Sequence, residues 1–230
     1  DLQIDDETAL HACRLSLFER LLCQERDAGR SAFTGILNHQ GRMHPDIAAF
    51  PNEFFYAHEQ LQPVPLPHQE ETEFDYRQPS TDALDDQLKQ HRVLFLPSPS
   101  HPLTSSPSEP ALVADLLRRL YRQIGNAHFN ADKSIGVIVT YRHQITLIRR
   151  EIAKLNLPML LDISIDTVER YQGSQRDVII YAFGVQDKAD LDFLTSNCFV
   201  EDGNTIDRKL NVVMTRARKQ LLMTGCQQVL

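Results

Sequence analysis

Short apolar runs recur along the chain with the composition of buried parallel strands. Between them, other stretches space their apolar residues as one face of a helix does. Strands that alternate with helices in this way are typical of a parallel sheet. The pattern predicts an α/β fold in three layers, a mostly parallel sheet with helices on both faces. The predicted strands are residues 92–96, 135–139, 160–165, 178–183 and 220–224.

The helix boundaries follow from capping residues. Ser106 and Glu109 have the spacing of a capping box, with Pro107 at the first helical position, and this helix should end near Gly125. The other predicted helices are residues 10–23, short turns around residue 47 broken at Pro51, a helix from residue 142 that ends before Pro158, and residues 207–219.

Two segments show neither the apolar runs of strands nor the apolar spacing of helices. Residues 62–90 are rich in proline and then acidic, which indicates an exposed loop or a poorly ordered insertion. Residues 97–107 are a Pro/Ser loop. Both segments are expected to connect elements of the sheet rather than to build its core.

Composition excludes some classes of protein. No apolar run approaches the roughly 18 residues that a membrane span needs, so no membrane partner is expected. The four cysteines form no CxxC pair, which argues against a zinc site or a disulfide framework and favours a reduced intracellular, cytoplasmic location. The net charge of −7 is uneven, because residues 1–110 carry a net −10 and residues 111–230 a net +3. A local basic surface in the second half therefore remains possible.

Four polar segments carry candidate chemistry. Residues 40–45 (QGRMHP) place an arginine in a turn, where it suits a phosphate or is simply exposed at the surface. Residues 167–177 join hydroxyl, amide and glycine groups between two strands, which fits a phosphate or sugar site or an ordinary connection. Residues 208–219 hold five cations, and residues 140–144 (TYRHQ) follow a strand. Residues 208–219 also fit a solvated helix face, and residues 140–144 also fit an ordinary helix N-terminus.

In parallel α/β sheets ligands bind beyond the carboxyl ends of the strands. The loops after Val139, Ile165 and Phe183 are therefore the expected sites.

The order of these segments is more specific than any one of them. QGRMHP, TYRHQ, TVERYQGSQ and RKLNVVMTRAR together resemble the motif series of superfamily I DNA/RNA helicases of the nonsense-mediated-decay and Okazaki-processing type. Residues 15–21 (LSLFERL) resemble the stretch that leads into this series, and the resemblance is weakest over residues 62–107. It implies that residues 1–230 are the second, C-terminal RecA-like domain of such a helicase.

The resemblance also implies site residues. Arg42 and Arg216 would be catalytic arginine fingers that reach the γ-phosphate of ATP, and Gln40, Gly173 and Gln175 would complete the ATP-binding set. Single-stranded DNA or RNA would be bound by Thr140, Tyr141, Thr167, Gln172 and Arg218.

The cofactors implied are ATP and Mg²⁺. The sequence has no GxxxxGK[ST] motif, so the phosphate-binding loop would belong to an N-terminal RecA-like domain that this chain lacks. That domain is the second expected partner, and it would hold most of the nucleotide. The isolated chain is therefore predicted to hydrolyse no ATP.

Three residues depart from the family pattern. Gly41 stands where the family often has an aromatic residue beside the adenine, Gln175 replaces a glutamate expected to bond the ribose, and Thr140 replaces a frequent proline. An alternative function is a degenerate RecA-like scaffold without ATPase activity. A Rossmann enzyme is disfavoured because no GxGxxG follows a strand, and metal hydrolysis because His39 and His44 match no ligand spacing.

Overall fold

The structure is a computed structural model that describes residues 16–99, 108–171, 173–195, 198–201 and 204–230. The chain divides into two compact units, Asp1–Asn38 and His39–Leu230. The sheet and its helices belong to the second unit. The assignment of residues 1–230 to one RecA-like domain stays a prediction.

The first unit contains helix α1, Leu17–Asp27. It begins at a capping box in which Ser16 Oγ accepts from the Glu19 amide and the Glu19 carboxylate accepts from the Ser16 amide. The helix was predicted over residues 10–23; residues 10–15 lie outside the described residues, and the helix continues four residues further than expected. Its apolar side chains, Leu17, Phe18 and Leu21 among them, are exposed within this unit.

The second unit alternates strands and helices. Its described strands are β1 (His39–Gln40), β2 (Gln62–Pro63), β3 (Val93–Pro97), β4 (Ile135–Val139), β5 (Ser164–Thr167), β6 (Arg176–Ala182), β7 (Phe199–Glu201), β8 (Asn204–Ile206) and β9 (Ala217–Gly225). Its described helices are α2 (Pro45–Phe54), α3 (Pro67–Glu70), α4 (Ala83–Gln90), α5 (Glu109–Ile124), α6 (Arg142–Ala153), α7 (Lys188–Thr195) and α8 (Arg208–Met214).

Five strands form one parallel sheet in the order β3-β9-β6-β4-β5. Successive residues of the central strand β6 enter different cores, because side chains alternate between the faces of a strand. Ile180 packs with α5 and α6 on one face, while Ile179 and Tyr181 pack with α2 and α8 on the other. The prediction of an α/β sandwich with helices on both faces is confirmed.

The predicted helix over residues 207–219 is wrong in its second half. Asp207 caps α8 by accepting from the amides of Lys209 and Leu210, but the helix ends at Met214. Strand β9 begins only three residues later, at Ala217. The switch occurs because β9 lies between β3 and β6, where ladder hydrogen bonds on both sides satisfy its backbone.

The segment 62–90 is not the exposed or poorly ordered loop that its composition predicts. It contains β2, α3 and α4, and it buries several polar side chains. Asp85 is fully buried and accepts hydrogen bonds from Thr81, Arg119 and Arg122. A composition rule treats such charges as solvated, whereas here they have partners inside the fold.

Other boundaries differ by a few residues. Strand β5 starts at Ser164, and the 3₁₀ turn Pro158–Leu160 takes up the first residue of the predicted strand 160–165. Pro51 lies within α2 and does not break it. Helix α5 is capped at Ser108, and the predicted Ser106 and Pro107 lie outside the described residues. Within the described ranges, no helix has both the length and the apolar character needed to cross a membrane.

The capping box predicted between Ser106 and Glu109 falls partly outside the described residues. Glu109, the first residue of α5, is itself buried. Its Oε1 lies inside the fold and accepts from the Gly184 amide at 3.3 Å and from Thr224 Oγ1 at 3.0 Å. Burial raises the pKa of this carboxyl to about 7. The first turn of α5 is thereby tied to the ends of β6 and β9.

This burial predicts a pH-dependent stability. Below the ordinary carboxyl pKa both the folded and unfolded states hold the proton; as the pH rises toward 7 the unfolded state ionises first, so stability falls. Glu109→Gln should remove this component, on the order of 2 kcal/mol. Urea unfolding at pH 5 and pH 8 measures it, with Glu59→Gln as the control. An unchanged pH dependence in Glu109→Gln would contradict the prediction.

Candidate functional site

The predicted site residues sort to the two opposite edges of the sheet. Because the five strands are parallel, their amino ends share one edge and their carboxyl ends the other. Gln175 and Arg216 directly precede β6 and β9, so they lie at the amino edge. Thr140 follows β4 and Thr167 ends β5, so they lie at the carboxyl edge. Gln175 belongs to the loop after Ile165, which was expected to serve the carboxyl edge, but the structure places it at the amino edge.

At the amino edge, four residues form what we call the arginine cluster: Arg42, Gln175, Thr215 and Arg216. Arg42 Nε donates to Gln175 Oε1 at 3.0 Å, and Arg42 Nη1 donates to the Thr215 carbonyl at 2.9 Å. Arg216 Nε donates to the Val212 carbonyl at 3.2 Å. Residues from three separate motifs of the sequence therefore meet at one point.

The cluster concentrates positive charge. Burial lowers the pKa of Arg216, and the nearby charge of Arg42 lowers it further. In the described part of the chain, neither guanidinium is paired with a carboxylate. Two adjacent, partly buried cations without an anion are a suitable place for a phosphate group.

The turn that carries Arg42 is held by amide side chains. Gln40 Oε1 accepts from the Arg42 and Met43 amides at 2.9 and 2.7 Å, and Gln40 Nε2 donates to the Met43 carbonyl. Gln69 Nε2 donates to the carbonyls of Gln40 and Met43. The side chain of Gln40 is thus engaged within its own turn. Its predicted contact with ATP stays a prediction.

Two histidines support this turn. His68 Nε2 donates to the Arg42 carbonyl at 2.9 Å, and His68 Nδ1 accepts from Arg218 Nη2. His44 Nδ1 caps α2 by accepting from the Asp46 amide, and its Nε2 donates to the Glu71 carbonyl. Burial and then the charge of Arg92 lower the pKa of His44, which disfavours its charged form. His68 and Gln69 were missed because they lie in the segment predicted as a loop.

Two glycines shape the edge. Gly173 has a φ of +88°, a conformation that favours glycine. At Gly41, an added Cβ would lie 3.1 Å from Leu66 Cδ1, so a leucine methyl stands beside the position where the family often has an aromatic ring. The segment 62–90 thus brings an apolar side chain to this part of the surface.

At the carboxyl edge, Tyr141 is the centre of a row of rings. Its ring is stacked with those of His143 and Phe193, each with centroids 5.6 Å apart, and its hydroxyl donates to the Asp190 carbonyl. Thr140 Oγ1 lies 3.1 Å from the Tyr181 hydroxyl. Phe193 was not among the predicted residues, because α7 was not predicted. This side chain is 57% exposed.

Thr167 is mostly buried. Its carbonyl accepts from the amides of Arg170 and Tyr171, which starts the turn that leads away from β5. The predicted Gln172 lies outside the described residues. Thr167 thus marks where the connection 168–175 leaves the carboxyl edge, and Gln175 marks where it reaches the amino edge.

Arg218 stands apart from the other predicted nucleic-acid residues. It is the second residue of β9, not part of a helix, and it lies at the amino edge. Its Nη1 donates to Asp177 Oδ1 at 2.7 Å, and its Nη2 contacts His68. The structure therefore gives Arg218 a place beside the support of Arg42. Its contact with nucleic acid stays a prediction.

Metal-ligating side chains do not gather in the parts of the chain that the structure describes. No group of three histidine, cysteine or acidic side chains there has the geometry to hold a metal ion. In the arginine cluster the donors are guanidinium and amide groups, which fit phosphate oxygens and not a cation.

Comparison with known proteins adds the family. A family model described as an AAA domain matches residues 13–228. The DNA polymerase alpha-associated DNA helicase A of Saccharomyces cerevisiae is 27% identical over 239 residues, covering 98% of this chain and 32% of that protein. Regulator of nonsense transcripts 1 of Dictyostelium discoideum is 27% identical, covering 94% of this chain and 15% of that protein.

Helicase sen1 of Schizosaccharomyces pombe is 28% identical, covering 85% of this chain and 11% of that protein. The chain thus spans about a third or less of the length of these relatives. Among solved structures, the C-terminal domain of a possible DNA helicase from Lactobacillus plantarum WCFS1 is 12% identical with a TM-score of 0.42, covering 81% of this chain and 88% of that chain. The chain belongs to the AAA domain family, and the relatives that it matches are superfamily I helicases.

Proposed function

We propose that this chain is the C-terminal motor domain of an ATP-dependent DNA or RNA helicase, and that Arg42 and Arg216 complete its ATP site. The observation that carries the proposal is the arginine cluster, in which two guanidiniums meet without a carboxylate among the described residues. Such a pair is costly unless an anion joins it, because each charge raises the free energy of the other.

The terminal phosphate of ATP suits this position. Negative charge develops on the transferred phosphoryl group and its leaving oxygen, and fixed guanidinium donors stabilise it in the transition state. An N-terminal RecA-like domain of the parent protein would supply the phosphate-binding loop and the Mg²⁺ ligands. Mg²⁺ held there would neutralise part of the phosphate charge. Arg42 and Arg216 of this chain hold and orient the γ-phosphate from the other side.

The carboxyl edge supplies the surface for a single strand. The ring of Tyr141 contacts those of His143 and Phe193, and the neighbouring residue Thr140 provides a hydroxyl. Rings stack on any base, and hydroxyl groups bond to phosphate or sugar, so this surface favours binding without sequence preference. Thr167 marks the same edge.

The connection 168–175 joins the two edges. It begins at Thr167 on the strand-binding side and ends at Gln175, which contacts Arg42 on the nucleotide side. A shift of the arginine cluster when ATP binds would therefore move the loop that borders the nucleic acid. This supports a cycle in which ATP draws the two domains together and hydrolysis releases them.

Single-strand binding tests the carboxyl edge. In the parent protein, Tyr141→Ala should weaken binding of a labelled oligonucleotide about ten-fold, since one stacked base contributes roughly 1–3 kcal/mol. Fluorescence anisotropy at fixed salt gives the dissociation constant. Tyr141→Phe, which keeps the ring, should bind as the parent does. Equal affinity of the parent and Tyr141→Ala would remove Tyr141 from the strand-binding surface.

A further inference from the structure

The contact between Gln175 and Arg42 has a chemical character of its own. Gln175 stands immediately before β6, and the adjoining Arg176 amide donates to the Arg216 carbonyl at 3.1 Å. The backbone of Gln175 is therefore fixed to the same strand entry that carries Arg216. From this position, the Gln175 carboxamide oxygen accepts from Arg42 Nε at 3.0 Å.

We infer that Gln175 is a positioning residue that holds Arg42 toward the nucleotide without neutralising its charge. The inference rests on the proposed function of the arginine cluster. Arg42 is anchored at two atoms, by Gln175 at Nε and by the Thr215 carbonyl at Nη1. Within the described ranges its Nη2 makes no protein hydrogen bond, which leaves that atom to a ligand.

The choice of an amide matters for charge. A carboxylate at this position would lie at ion-pair distance from Arg42 and compensate one of the two positive charges of the cluster. The charges of the cluster act on each other, since Arg42 lowers the pKa of Arg216. A neutral carboxamide fixes the same geometry and keeps both charges available to the phosphate. Because Gln175 is exposed, solvent would screen part of this difference.

This role differs from a contact with the ribose. The carboxamide oxygen of Gln175 is already engaged by Arg42, so a sugar hydroxyl would share that oxygen with Arg42 or accept from the amide nitrogen. A positioning role predicts effects that depend on Arg42. A ribose role predicts effects that depend on the sugar of the nucleotide and that persist when Arg42 is removed.

The test uses single-strand-stimulated ATP turnover by the parent protein. Gln175→Ala should lower kcat about ten-fold with little change in KM, because Arg42 loses one anchor and catalysis depends on its placement. Gln175→Glu keeps the anchor but adds charge, so it should raise KM for ATP several-fold, and less at high salt. Gln87→Glu, an exposed position on α4, controls for the added charge and should resemble the parent.

The deciding measurement combines Gln175→Ala with Arg42→Ala. If Gln175 acts through Arg42, its removal has no further effect once Arg42 is absent. Additive losses, or a loss of ATP over 2′-deoxy-ATP preference with unchanged kcat, would overturn the positioning role. If Arg42→Ala alone leaves turnover unchanged, the proposed function fails instead. A loss in Arg42→Ala with a fully active Gln175→Ala defeats only the present inference.

Discussion

Replacing Arg216 with alanine in the parent protein should reduce single-strand-stimulated ATP turnover by roughly 10³-fold, the lower range for a well-placed arginine finger. The guanidinium is aimed from the entry of β9, and its position is fixed by the Val212 carbonyl and by the turn at Thr215. Its loss leaves charge on the transferred phosphoryl group without a partner. The KM for ATP should change much less, because the proposed function leaves most of the nucleotide contacts to the other domain.

Two further variants sharpen this result. Arg216→Lys keeps the charge but not the planar fork, so it should recover only part of the turnover. Arg208→Ala removes an exposed cation from the start of α8 and serves as the matched control, with turnover close to that of the parent. If Arg216→Ala turned over ATP at the parent rate while Arg42→Ala did not, the catalytic role would belong to Arg42 alone.

Replacing Asp85 with alanine should lower the free energy of unfolding by about 3–5 kcal/mol, the range for breaking a buried ion pair. Asp85 is fully buried, and its carboxylate accepts from Arg119 at 2.8 Å and from both the amide and hydroxyl of Thr81. Arg122 also donates to it. Without Asp85, Thr81 and Arg122 lose this acceptor inside the fold, whereas Arg119 keeps its bonds to Asp82 and Asp115.

The same carboxylate makes stability depend on acid. Burial alone would raise the pKa of Asp85, but hydrogen bonds from Thr81, Arg119 and Arg122 outweigh it and hold the pKa well below its usual range. Its contribution is therefore present above the ordinary carboxyl pKa and is lost as the pH falls toward the lowered value. Urea unfolding at pH 7 and pH 2 measures both effects, since the second pH lies below the ordinary carboxyl pKa, with the exposed neighbour Asp86→Ala as control. A loss in Asp85→Ala no larger than in Asp86→Ala would contradict the account.

The centre of the sheet could be predicted from sequence because β4 and most of β6 are buried on both faces. Residues such as Ile179 and Ile180 are apolar in succession, and this signal does not depend on distant partners. The residue at which α8 ends could not be predicted in this way. Residues 208–219 keep an apolar spacing that a helix and a strand both satisfy, and only the place of β9 between two neighbours selects the strand.

The prediction for the segment 62–90 was incorrect for a different reason. Asp85 is acidic, and acidic residues are exposed in most proteins, but two of its partners, Arg119 and Arg122, come from α5. A rule that scores each residue by itself misses such pairs. His68 and Gln69 were missed in the same way, since their role is to support a turn almost thirty residues earlier.

The motif order named the residues of the candidate site, but it did not show how they are arranged. The motif order identified Arg42 and Arg216, and the structure brings both to one edge. The hydrogen bond between Arg42 and Gln175 joins residues 133 positions apart, and no local pattern indicates it. Phe193 beside Tyr141 likewise depends on the fold.

In the proposed function this chain completes an ATP site and does not hold one alone. The most direct measurement is ATP turnover by the purified 230-residue chain beside that of the parent protein, each with single-stranded DNA and with RNA. We expect single-strand-stimulated ATP turnover by the parent protein. We expect no turnover above background by the 230-residue chain, because it has no GxxxxGK[ST] motif. Robust hydrolysis by the chain itself would contradict it.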